Sequence, residues 1–197
     1  MPGLQVTPEN QIQRLNHIFN QVAHLQKLEP EVLYHRPRSK AWNVLEILEH
    51  LSIAYSFYRE KLETTLETSP KGVNGTWVFK VRPWQHFVLE GQRPKGKKRP
   101  FKIKTLKRFV PYLQGESGSA TQVQVTFNRF HDAYGHLKDQ ILDSRIKKVG
   151  LQKVSSAIGP IVRFYLPEAF EFLICHAERH MVQIEETLAK DQEMGYL

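Results

Sequence analysis

The sequence predicts an all-α fold, a four-helix bundle with one long crossover between its second and third helices. Three observations carry that expectation. Four long segments place apolar residues at helical spacing. The first two open on capping residues and the fourth on a proline, the ordinary start signals of helices. The stretch between the second and third, 69–119, is far longer than a usual helix-to-helix link. Four helices and one extended connection make a bundle.

Each element follows from its residues. The first helix opens at Thr7-Pro8-Glu9, a capping residue followed by proline at the first helical position. Ile12, Leu15, Ile18, Phe19, Val22 and Leu25 then form one apolar stripe, and the helix is expected to reach about Leu28. The second is expected from Lys40, with Ser39 as its N-cap, to Glu67, where Ser69-Pro70 and Gly72 end it. The third spans Ala120 to Asp143, with Val123, Phe127, Phe130, Tyr134, Leu137 and Ile141 along one side. The fourth starts at Pro167 and continues to about Lys190. In the crossover, the runs TWVFKV and FKIKTL alternate in polarity and read as strands or a hairpin. A smaller connector, Ser144 to Leu166, contains Gly159-Pro160. At 197 residues, 41% of them hydrophobic, the chain suits one domain over 1–197 with a real core.

Composition narrows the function classes. A single cysteine, Cys175, allows no intrachain disulfide and favours a reducing compartment. The start, MPGLQVTPENQIQ, lacks the basic-then-apolar pattern of a signal peptide, and no apolar run is long enough to span a bilayer. A cytoplasmic protein without a membrane partner is expected. The formal charge of +8 is local: 93–108 alone holds nine Lys or Arg and no acid. A solvated loop is the first reading of that run and an anionic-substrate clamp the second. Nucleic acid ranks third, through Lys95, Lys97, Lys98, Arg99, Lys102, Lys104, Lys107 and Arg108 beside Trp77, Trp84 and Phe101.

The histidines divide unevenly. Near the C-terminus, in ICHAERHMVQIEE, His176 and His180 stand about 40° apart around a helix. Glu168, Glu171, Glu178, Glu185 and Glu186 are expected on the opposite, solvated side, so both imidazoles should face inward. On the second helix His50 lies among Ile47, Leu51, Ala54 and Phe57, away from the polar stripe. His17, His24, His35, His86, His131 and His136 fall on polar faces, flanks or connectors. Interior imidazoles need partners, because an unsatisfied buried polar group costs about 1–3 kcal/mol. One divalent metal would satisfy all three, and three nitrogen ligands with an open fourth position describe a catalytic site. Separate hydrogen-bond partners for each histidine are the other solution. Glu46, one turn before His50, reads as an acceptor for a ligand histidine's other nitrogen or as a base, or as a salt-bridge partner on the helix flank. Arg179 reads as solvated or paired with a nearby glutamate, Gln183 as a site residue or a packing one, and Cys175 as a small structural residue.

At these residues a family resemblance enters. AWNVLEILEHL resembles the W-x3-E-x3-HL signature of the second helix of DinB-like (DinB/YfiT) proteins, and HAERHMVQI resembles the H-x2-RH-x2-QI signature of their fourth. The resemblance implies up-down-down-up connectivity and a divalent metal, commonly nickel or zinc, on His50, His176 and His180. It further implies a small-molecule metalloenzyme: a thiol S-transferase using a low-molecular-weight thiol first, a metal-dependent hydrolase second. A non-catalytic metal-stabilised or dimerising protein is the remaining class, with a homodimer as its expected partner.

Overall fold

The structure, a computed structural model, describes residues 3–72, 76–100, 104–113, 119–159 and 161–193. Six α-helices dominate the described residues, with two short strand pairs beside them. The four long helices are those expected from periodicity, and they differ from expectation mainly at their ends.

Helix α1 (Pro8–Leu25) is capped by Thr7, whose hydroxyl accepts from the Asn10 amide, with Pro8 in its first turn. It stops at Leu25, short of Leu28, and a brief α2 (Pro30–Tyr34) follows, begun by Pro30. Helix α3 (Val44–Thr68) starts later than Lys40, because the cap is Asn43 and not Ser39. Asn43 accepts from the Glu46 amide at 2.8 Å while the Glu46 carboxylate accepts from the Asn43 amide at 3.0 Å. This reciprocal box satisfies two otherwise orphaned donors, which Ser39 has no equivalent to match. Helix α5 (Ala120–Ser144) is capped by Ser119, and α6 runs Leu166–Glu193.

The crossover carries structure of its own. Strand β1 (Gln5–Val6) pairs antiparallel with β2 (Phe79–Lys80), so the TWVFKV run pairs with the N-terminal segment and not with a hairpin partner. Half of the other alternating run, 101–103, lies outside the described residues. Helix α4 (Pro83–Gln92) follows, unannounced by the alternating pattern around it. A turn with Gly96 at φ 57°, a left-handed value that side chains with a Cβ resist, then bridges Lys95 to Lys98. Farther along, β3 (Lys153–Ser155) and β4 (Arg163–Tyr165) form a hairpin in the second connector.

Packing among the long helices is mutual: α3 lies on α5 and α6, and α1 on the same two. Leu15, Ile18, Leu51, Tyr58, Phe130, Leu137, Phe170 and Leu173 meet in the shared core, each at most 2% exposed. Burying each such side chain contributes about 1.5–3 kcal/mol. Helix α4 covers another face of α6.

That cover overturns one expectation. Glu168 and Glu171 were to mark the solvated side of the last helix, yet both are fully buried. Arg82, just ahead of α4, donates to both carboxylate oxygens of Glu168, at 3.0 and 2.6 Å. Arg14 of α1 and Arg93, just after α4, both reach Glu171 Oε1, at 2.5 and 2.8 Å. Periodicity marks these glutamates as polar, and polar they are. It cannot show that a basic crossover folds down onto them.

Candidate metal centre

Helices α3 and α6 bring the three inward histidines together. His50 Nε2 stands 3.3 Å from His176 Nε2, and His180 Nε2 stands 3.2 Å from the same atom. The ligand atoms of all three lie within 4.8 Å of one another. The i,i+4 spacing on α6 sets two of the rings side by side, their centroids 4.6 Å apart, and α3 supplies the third across the interface.

Hydrogen-bond chemistry does not account for this arrangement. An imidazole nitrogen has one in-plane site, occupied by either a proton or a lone pair. His176 Nε2 therefore makes at most one good hydrogen bond, yet it has two nitrogen neighbours at that range. A shared cation would relieve that conflict. Two nitrogens bound tetrahedrally at about 2.0–2.1 Å lie about 3.3–3.4 Å apart, close to the two separations from His176 Nε2.

The surroundings favour the neutral, ligating form of each ring. Burial pushes His50 below the ordinary imidazole value, partly opposed by its hydrogen bond to Phe109. Burial also lowers His176 to about 3, helped by the nearby charges of His50 and Arg179. His180 is lowered well below its usual value by burial first and then by its cationic neighbours. His50 Nδ1 donates to the Phe109 carbonyl at 2.7 Å, which fixes its tautomer and turns the Nε2 lone pair toward the other two rings. Phe109 belongs to a 3-10 turn, Lys107–Phe109, so the crossover orients a ring of the site. The Nδ1 atoms of His176 and His180 have no hydrogen-bond partner among the described residues.

The cluster lies in the wall of a cavity of about 1010 Å³, roomy for a small molecule. Trp42 packs on His50 with centroids 4.9 Å apart, and Phe172 lies parallel to His176 at 6.3 Å. Gln183 lines the cavity and accepts from Arg99 at 2.8 Å, which makes it a site residue. Arg179 is 6% exposed in the cavity wall, so it is not a solvated residue.

Glu46 goes elsewhere. Besides capping α3, its carboxylate takes the Arg36 guanidinium at 2.5 Å, and it lines a separate surface recess. The salt-bridge reading describes it, and the structure does not bring it to the histidines as a base. Cys175 is buried, and its thiol is pushed up to about 12 by burial and by Glu171. The other histidines stay apart: His136 meets the Tyr55 hydroxyl, and His131 stacks on Phe19.

The basic run divides by residue type. Arg93 is committed to Glu90 and Glu171, Arg99 to Gln183 and Glu186, and Arg108 to the Ala157 carbonyl. Lys95, Lys97, Lys98, Lys104 and Lys107 are exposed, as the solvated-loop reading expects. Arginine's planar fork suits such anchoring, and lysine's strongly hydrated ammonium suits water. Of the aromatics read beside it, Trp77 donates to Ser144 and Trp84 is exposed, stacked on Phe87. Phe101 and Lys102 lie outside the described residues.

A helical protein with three converging imidazoles in a cavity wall belongs to a recognisable class. The family model of the DinB superfamily matches residues 17–184, and the chain belongs to that superfamily. The match takes in both signature segments, AWNVLEILEHL and HAERHMVQI. No curated protein and no solved structure matches the chain significantly. No helix among the described residues is long and apolar enough to cross a membrane.

Proposed function

We propose that the chain is a small-molecule metalloenzyme that holds one divalent ion, zinc or nickel, on His50, His176 and His180. The reading takes the four long helices as the up-down-down-up bundle of a single DinB domain. One observation carries it above the others: His176 Nε2 has two imidazole nitrogens at 3.2 and 3.3 Å and can hydrogen-bond to only one of them. Three histidines leave positions open for a ligand.

When bound there, a divalent ion lowers the pKa of a coordinated water or thiol and supplies a nucleophile near neutral pH. The chain's own residues prepare the place. Burial favours the neutral form of the three rings, and the Phe109 carbonyl holds His50 in the ligating tautomer. Trp42, Phe109 and Phe172 give the cavity an apolar wall that limits water around the reacting atoms. The favoured reaction is transfer of a low-molecular-weight thiol to an electrophilic small molecule. Metal-dependent hydrolysis is the alternative.

The test uses zinc- and nickel-loaded protein. One arm supplies a low-molecular-weight thiol with monochlorobimane, the other a p-nitrophenyl ester without thiol. The expected outcome is thiol conjugation that falls about a hundredfold or more in His180→Ala, since disturbing even the partners that orient a ligand costs about 10–100-fold. Ester turnover alone would move the assignment to hydrolysis. Equal rates for wild type and His180→Ala in both arms would contradict an enzymatic role.

A further inference from the structure

The cavity above the histidines is strongly cationic. Arg38, Lys40, Arg99, Lys104 and Arg179 line it, and Glu186 is the one carboxylate among its lining residues. Arg99 is held firmly in place: Nη1 donates to Gln183 at 2.8 Å and Nη2 to Glu186 at 2.5 Å. Its Nε is buried and has no hydrogen-bond partner among the described residues. Arg179 shares the same cavity wall. Five cationic side chains against one carboxylate give this wall a positive balance that favours an anionic occupant. The rest of the wall is apolar, with Trp42, Phe109 and Phe172 among its residues.

We propose that this cavity binds an anionic small molecule with an apolar body, its carboxylate or other oxyanion received by Arg99 on the α6 side. The anchored guanidinium presents a fixed positive group, and Glu186 competes with the ligand for it. The ligand's apolar body then lies along Trp42 and Phe172, which places its other end at the three Nε2 atoms. That last orientation rests on the metal-centre reading; the anion preference does not.

The test compares two fluorescent probes on metal-free and on zinc-loaded protein: anionic 8-anilinonaphthalene-1-sulfonate and its neutral counterpart N-phenyl-1-naphthylamine. The wild type is expected to bind the anionic probe about tenfold more tightly or better, the range of one charge-assisted hydrogen bond. Arg99→Gln should bring the two affinities to within about twofold without weakening the neutral probe, and Arg99→Lys should restore part of the preference. Glu186→Gln, at a half-exposed position, should instead tighten the anionic probe severalfold. Circular dichroism and melting curves check that the variants fold. Equal affinities in the wild type, or a preference that survives Arg99→Gln and does not move in Glu186→Gln, would overturn the proposal. Because the metal-free protein is titrated in parallel, a failure of metal binding alone leaves this result readable.

Discussion

At the scale of the residue, the site depends on which side-chain atoms face one another and which are kept from water. His50 differs from the other two histidines in having its second nitrogen held, by the Phe109 carbonyl. Cys175 shows the opposite use of burial. It is adjacent to His176 in sequence, but its thiol is buried beside Glu171 and Arg14 and raised to about 12. Near pH 8 the native thiol stays protonated and shielded, so iodoacetamide should label it only after unfolding; rapid labelling of the native protein, read by mass spectrometry, would show this environment to be wrong. The inward direction of His50, His176 and His180 was legible from helical spacing alone. The Phe109 carbonyl and the position of Arg99 were not, because both come from the crossover, whose path no periodicity describes. Glu46 was legible only as two alternatives, and the spacing Asn43 to Glu46 was the available signal for its capping role.

At the scale of the element, the last helix is held on two sides by unlike means. Its apolar face joins the shared core, while its glutamates Glu168 and Glu171 are clasped by Arg14, Arg82 and Arg93 from α1 and the crossover. Burial alone would raise the Glu171 carboxyl, but the two guanidinium groups outweigh it and hold the group below the usual carboxylate range. A depressed carboxylate adds stability that is fully present above the ordinary carboxylate pKa and is lost as pH falls through the folded value. Glu171→Gln removes the buried charge that Arg14 and Arg93 share, while Arg14 keeps Glu178 and Arg93 keeps Glu90, and it should cost about 1.5–3 kcal/mol in urea unfolding at pH 7. The cost should shrink as pH falls through the acid range, where the wild type loses the same charge. A change below about 0.5 kcal/mol at pH 7 would mean that the clasp contributes little. Here sequence reading placed both glutamates in water. The stripe pattern was right about their polarity, and only the folded crossover reveals their burial.

At the scale of the whole molecule, the crossover is the part that turns a packed set of helices into a candidate site. It supplies a strand to pair with the N-terminal segment, a helix to cover α6, a carbonyl to fix His50 and an arginine at the cavity wall. The long helices and their core faces could be read from the chain because apolar spacing encodes them directly. The strand in TWVFKV could be read but its N-terminal partner could not, and the β3–β4 pair gave no readable signal, since runs of two or three residues carry too little alternation. The three-nitrogen centre, in turn, is built by α3 and α6 together. It is tested most directly by elemental analysis of gently purified protein beside the His176→Ala/His180→Ala variant. Near-stoichiometric zinc or nickel is expected in the wild type and almost none in a variant that still folds. A wild type that stays metal-free after incubation with both ions, or a variant that keeps its metal, would contradict it.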